Sequence, residues 1–206
     1  MHKNDLILIV SAPSGAGKTT IINRLLSEDK RCEFVISTTT RKPRNDEIHG
    51  RSYYFTTVDE FKKQIKNGKF IEWAIVHQNY YGVTKKEFDR IQTLGKIPLF
   101  DVDVQGAKKL KNMFKEAIYI FIAPPTIEGL RERLKNRGTD SEEEINLRIQ
   151  NAVNELKELK NYDYIIINND IEESLLDIKA ILRAELCKRK YSNSSKSGWL
   201  TPPAAE

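Results

Sequence analysis

Residues 6–20 read LILIVSAPSGAGKTT, an apolar run that passes through a loop of small residues into a segment opening with Lys18-Thr19. A buried strand, a glycine loop and a helix in that order point to an α/β sheet, with the loop at the strand's carboxyl end. The same order suits an anion cradle. The strand holds the loop still, and Gly15 and Gly17 let backbone N–H groups converge on one point. The helix N-terminus adds partial positive charge, Lys18 reaches the outer phosphates, and the Thr19 hydroxyl suits Mg²⁺. The segment departs from G-x-x-x-x-G-K-[ST] only at Ala12, which stands where the first glycine would be. The stretch from Ala12 through Pro13, Ser14, Gly15, Ala16, Gly17, Lys18 and Thr19 to Thr20 is therefore the expected seat of a nucleoside triphosphate.

At 206 residues, with 31% charged and 39% hydrophobic side chains, the chain suits one α/β domain with small inserted subdomains. The longest apolar runs fall far short of a membrane span, and MHKND at the N-terminus lacks the apolar stretch of a secretory signal. Two distant cysteines, Cys32 and Cys187, speak for a reducing compartment, with neither a disulfide framework nor a zinc site. A cytoplasmic protein is expected. The net charge of +5 fits anionic small-molecule phosphates more simply than nucleic acid.

Short apolar runs predict buried parallel strands at 6–10, 97–102, 117–122 and 163–167, with a weaker one at 33–37. Helices are predicted at about 18–28, 105–112, 126–137, 141–160 and 171–190. Ser141 with Glu144 forms a capping box after Gly138, so two helices meet at a Gly-Thr-Asp hinge, and residues from about 126 to 150 make a lid. Between 38 and 90 aromatic and β-branched segments surround one helix at 58–67, which predicts an inserted mixed-β subdomain. The core would then comprise 1–37 and 91–190. Residues 191–206, rich in Ser and Pro, are expected to be a poorly ordered tail.

Asp101 and Asp103 end an apolar strand two residues apart, so both side chains are expected on one face, where a carboxylate can hold Mg²⁺ directly or through water. Capping of the following helix is the alternative use. Arg133 and Arg137 share a helix face, and Arg148 lies across the hinge; they suit a closing lid that supplies charge, or a solvated helix surface. Arg41 and Arg44 flank Pro43 and offer forks for a second phosphate, joined by the hydroxyls of Tyr53 and Tyr81 unless those rings only pack. In KFIEWA, strict alternation puts Glu72 on a face with Phe70 and Ala74. A carboxylate there needs a partner. Guanine offers N1–H and a 2-amino group side by side, whereas adenine presents an acceptor; a salt bridge to a nearby lysine is the other possibility.

SAPSGAGKTT, VISTTTRKPR, GRSYYF, FIEWA, NYYGV, FDVDVQG, IFIAPP and NRGTD, in this order over about residues 6–170, together resemble the guanylate kinase family. The resemblance implies a P-loop nucleoside monophosphate kinase fold: a parallel sheet flanked by helices, an inserted GMP-binding subdomain and a helical lid. It implies Mg²⁺-dependent transfer of the γ-phosphoryl group of ATP to GMP, and to dGMP, by a monomer or small homo-oligomer. Matched motif by motif, Ser37, Glu72 and Asp103 would face guanine, while Arg41, Arg44, Tyr53 and Tyr81 would hold the acceptor phosphate. Lys18, Arg133, Arg137 and Arg148, with Arg41, would serve the transferring group. Asp101 would lie near the metal or its waters, and Asn168 near the adenosine. The segment NYYGV departs from the family in carrying Val83 where a small hydroxyl residue commonly meets guanine. Thr84 or a water would take over, or the 6-oxo group would lose a donor. The same resemblance leaves two other readings: an inactive protein-binding module, or a kinase for another phosphorylated small molecule.

Overall fold

The first predicted strand lies at the centre of a five-stranded sheet. A computed structural model describes residues 6–44, 47–76, 78–138 and 140–188, so the expected tail at 191–206 lies outside it, while the last helix, expected to run to 190, stops at Leu186 with Cys187 as its C-cap. Strand β1 (Leu8–Ser11) is flanked by β7 (Ile97–Asp101) on one side and β8 (Ile118–Ala123) on the other. Outside these run β2 (Cys32–Phe34) and β9 (Tyr164–Ile167), giving a five-stranded parallel sheet in the order β2-β7-β1-β8-β9. Alternation along β1 divides the core. Leu8 and Val10 face helices α1 (Lys18–Glu28) and α7 (Ile171–Leu186), packing with Ile21, Leu25, Ile178 and Leu182. Ile9 faces the opposite layer, where Phe100, Tyr119, Ala107 and Leu110 meet, the last two on α4 (Val104–Met113). Burying such side chains contributes about 1.5–3 kcal/mol each, and near-continuous apolar strands need cover on both faces.

The inserted region forms a second sheet, order β4-β3-β6-β5, from β3 (Thr38–Thr39), β4 (Tyr54–Phe55), β5 (Phe70–Val76) and β6 (Asn79–Thr84). The β3–β4 pair is parallel and the other two are antiparallel, so the sheet is mixed as the sequence predicts. Helix α2 (Val58–Lys66) packs on it through Phe61, which stacks on Phe70 at 4.3 Å. A second helix, α3 (Lys85–Thr93), corrects the expectation of one helix in this stretch. Its sequence, KKEFDRIQT, is mostly charged, and tertiary packing of Ile91 against the Phe100 layer makes it helical.

Helices α5 (Ile127–Asn136) and α6 (Glu142–Leu156) meet near Gly138, whose φ of +65° is the left-handed turn a glycine supplies. The Ser141–Glu144 capping box is formed as expected. Helix α6 stops at Leu156, earlier than the predicted 160, and a single 3₁₀ turn (Leu159–Asn161) leads into β9. Among the described residues no helix is long and apolar enough to cross a membrane.

Candidate active site

The loop after β1 has the backbone its glycines permit. Gly15 and Gly17 both have φ of +93°, and Gly17 is the left-handed residue that opens α1. Ala16 and Pro13 are buried and the Ala16 N–H donates to Pro13 O, so the loop is a tight turn standing on the sheet. Ser14, Thr19 and Thr20 are exposed at its rim. Below it lies Asn168, only 2% exposed. Its Nδ2 donates to Ala16 O at 2.6 Å and its Oδ1 accepts from Ser174 Oγ. Asn168, expected near an adenosine, spends its side-chain amide on the backbone of the loop and on Ser174.

Parallel register brings Asp101 opposite Val10 of β1, beside the start of α1. The Lys18 ammonium lies 2.5 Å from Asp101 Oδ1 and donates to Val102 O at 2.8 Å. Asp103 is the N-cap of α4, its carboxylate accepting from the Gly106 N–H at 2.7 Å, so the capping use weighed from the sequence is real. Lys18, Asp101 and Asp103 line one end of a cleft of about 330 Å³.

The inserted sheet lines the opposite side of that cleft with Ser37, Tyr53, Tyr81 and Glu72. Here strict alternation fails. A β-bulge between Phe70 and Glu72 pairs Phe70 with Thr84 but Glu72 with Val83. Phe70 therefore joins Phe61 on the α2 side, whereas Glu72, with Ala74, turns to the cleft and Ile71 packs into the Phe100 layer. The expectation that Glu72 shares a face with Phe70 is thus corrected. Burial pushes the Glu72 carboxyl up to about 7; Lys109 opposes this and Asp103 adds to it.

Arg41 sits 5.5 Å over the Tyr53 ring, and Tyr53 meets Tyr81 edge-on at 6.1 Å. Its guanidinium is held by Glu47, with Nη2 2.6 Å from Oε1, and Glu47 Oε2 also accepts the Arg44 N–H. The Arg44 side chain is exposed beside it. Glu47 was not among the predicted residues. Its only sequence signal is an acid six positions after Arg41, across a turn whose closure no local pattern announces. Thr84 is not brought to the cleft: its hydroxyl accepts from the Glu87 N–H as the N-cap of α3, and its side chain lines the far side of the sheet. Val83, 1% exposed, is the residue opposite Glu72.

Two of the three helix arginines reach the cradle. Arg148 Nη1 donates to Ser14 Oγ at 2.8 Å while Nη2 pairs with Asp140. Arg133 Nη2 donates to Asn168 O at 2.8 Å. Arg137, the exposed C-cap of α5, stands apart from these contacts.

The arrangement is one cleft lined by Lys18 of the phosphate-type loop, a half-buried carboxylate and two tyrosines, with Arg41 over one of the tyrosine rings. The family model described as guanylate kinase matches residues 4–185. The chain is 42% identical over 188 residues to a guanylate kinase of Caldanaerobacter subterraneus, covering 91% of each chain. It is 44% identical over 196 residues to one of Helicobacter pylori, covering 95% of each. The crystal structure of guanylate kinase from Anaplasma phagocytophilum superposes with a TM-score of 0.74 at 35% identity, covering 95% of this chain and 93% of that one. Sequence motifs, sheet order and cleft thus agree, and the chain belongs to the guanylate kinase family.

Proposed function

We propose that the protein transfers the γ-phosphoryl group of ATP to GMP, and to dGMP, giving ADP and the corresponding diphosphate. The observation that carries this reading is a lysine at the start of α1, Lys18, and a half-buried carboxylate, Glu72, lining the same cleft.

In this reading the loop N–H groups and Lys18 bind the ATP phosphates, and Asp101 keeps the Lys18 ammonium aimed at them. Ionised Glu72 accepts N1–H and the 2-amino group of guanine together; adenine, presenting an acceptor there, is repelled. Ser37 and Asp103, which line the same cleft, would add polar contacts to the base. Arg41, Arg44, Tyr53 and Tyr81 hold the acceptor phosphate. That phosphate is itself the nucleophile, so no strong general base is required. One of its oxygens forms a bond to the γ-phosphorus as the bond to the β–γ bridging oxygen breaks, and ADP leaves with that electron pair. Arg148, Arg133 and Lys18 neutralise charge on the transferring group, and closure excludes water.

Among the described residues no three His, Cys, Asp or Glu side chains are grouped to hold a metal ion. The residues therefore suit an ion that arrives on the nucleotide, with the exposed Thr19 hydroxyl as protein ligand and Asp101 acting through water. Mg²⁺ bound there would offset phosphate charge. Cytoplasmic residence and a monomer or small homo-oligomer accompany this reading, and light scattering would test the latter.

The test is ADP formation with GMP, dGMP, AMP, dTMP or no acceptor. GMP-dependent ADP is expected, and Lys18→Ala should lower turnover by about 10²-fold or more while the protein stays folded. ADP release independent of GMP, or near-normal turnover in Lys18→Ala, would overturn the assignment.

A further inference from the structure

We propose that Glu87, buried where the inserted sheet joins the core, is a positioning residue that fixes the acceptor-binding wall of the cleft. The proposal deepens the reading above and rests on it. Glu87 is 3% exposed, and a carboxylate that deep must be fully partnered. It stands three residues after Thr84, where a capping box would turn it back on the Thr84 N–H, yet its oxygens are taken by other partners. Oε1 accepts the Ile36 N–H at 3.1 Å and Arg90 Nη2 at 2.9 Å; Oε2 accepts the Tyr54 hydroxyl at 3.1 Å and Arg90 Nε at 3.0 Å.

These partners divide cleanly. On the core side, Arg90 also reaches Glu33 of β2 at 3.3 Å, and Glu33 is held by Lys96 just before β7. On the other side, Ile36 lies where the chain leaves the core sheet for β3, and Tyr54 is part of β4. Glu87 itself lies on α3, where the chain comes back. One carboxylate thus joins both crossings and a strand of the inserted sheet to a core-anchored ion-pair chain. Its reach into the cleft is short. Ser37 follows Ile36 and Tyr53 precedes Tyr54, both line the cleft, and the Tyr54 N–H donates to Ser37 O at 2.9 Å. Small displacements of groups that hold a substrate are costly, so loosening this junction should weaken acceptor binding and spare the ATP cradle.

Two variants test this. Glu87→Gln keeps the volume but sets an amide donor against the Tyr54 hydroxyl or the Arg90 guanidinium. Tyr54→Phe removes only the arm toward the inserted sheet. The expected KM for GMP rises about 5- to 20-fold in Glu87→Gln and about 2- to 5-fold in Tyr54→Phe, with kcat and the KM for ATP within about twofold of wild type. The double variant should be no worse than Glu87→Gln alone, because both cut one link. An unchanged KM for GMP in both variants, or GMP and ATP constants rising together, overturns the proposal; if Glu87→Gln does not fold, Tyr54→Phe decides it. Failure of the wild type to phosphorylate GMP would instead sink the functional reading, so the two failures are separable.

Discussion

Asn168 closes the phosphate loop from beneath: its Nδ2 donates to Ala16 O at 2.6 Å, and a Cβ added to Gly17 would clash with that same nitrogen. The amide cannot swing aside cheaply, because its Oδ1 is held by Ser174. Gly17 also has φ of +93°, which strains any residue with a Cβ. Gly17→Ala is expected to cost about 2–4 kcal/mol of stability and to lower turnover about 10²-fold or more. Thermal unfolding and steady-state kinetics check both, and a fully active, fully stable variant would show that the loop tolerates another conformation.

The reach of the sequence follows from the range of the interactions. The phosphate loop, the core strands and the Ser141 cap depend on neighbours a few residues apart, so pattern alone exposes them. The bulge beside Glu72 does not, because its register is set by β6 across the sheet. Helix α3 was hidden by its charge and is helical because Ile91 meets the Phe100 layer. Asn168 and Ala16 are 152 positions apart, and nothing local distinguishes an amide that faces a ligand from one that braces a loop.

Burial raises the Glu72 carboxyl to about 7, while guanine needs the ionised form. Acceptor affinity should therefore fall as pH drops through about 7, approaching tenfold per unit well below it. The phosphate of GMP titrates near pH 6 as well, and Glu72→Gln separates the two: it should bind GMP weakly and lose the component near 7. The same shift has a stability sign. An acid raised in the folded state binds more protons there than in the unfolded chain, so folding weakens as pH rises from about 4.5 to about 7. Across that window the melting temperature of Glu72→Gln should gain on wild type.

Thr84 caps α3 through its hydroxyl, whereas Val83, paired with Glu72 across the strands, packs into the Phe100 layer. Thr84→Ala should cost about 1 kcal/mol of stability and leave the KM for GMP unchanged. Val83 is 1% exposed and packs in the Phe100 layer, so Val83→Thr buries a hydroxyl among apolar side chains and should cost about 1–3 kcal/mol of stability with little change in that KM. Denaturant melts and acceptor titrations read both; a raised KM in Thr84→Ala would restore Thr84 to the base site.

Arg148 links α6 to the phosphate loop by donating to Ser14 Oγ, and its second amino group pairs with Asp140. Two different contacts use two ends of the planar fork, a geometry that an ammonium cannot copy. If the guanidinium neutralises charge that develops on the transferring phosphoryl group, its loss lowers kcat and kcat/KM together and leaves the KM for ATP nearly unchanged. Arg148→Ala should thus reduce kcat about 10²- to 10³-fold, and Arg148→Lys should recover only part of it. Ser14→Ala removes the loop contact but keeps the charge, so it should lose less than about tenfold. Were Ser14→Ala as damaging as Arg148→Ala, the arginine would act by holding the lid down, and the charge itself would be secondary.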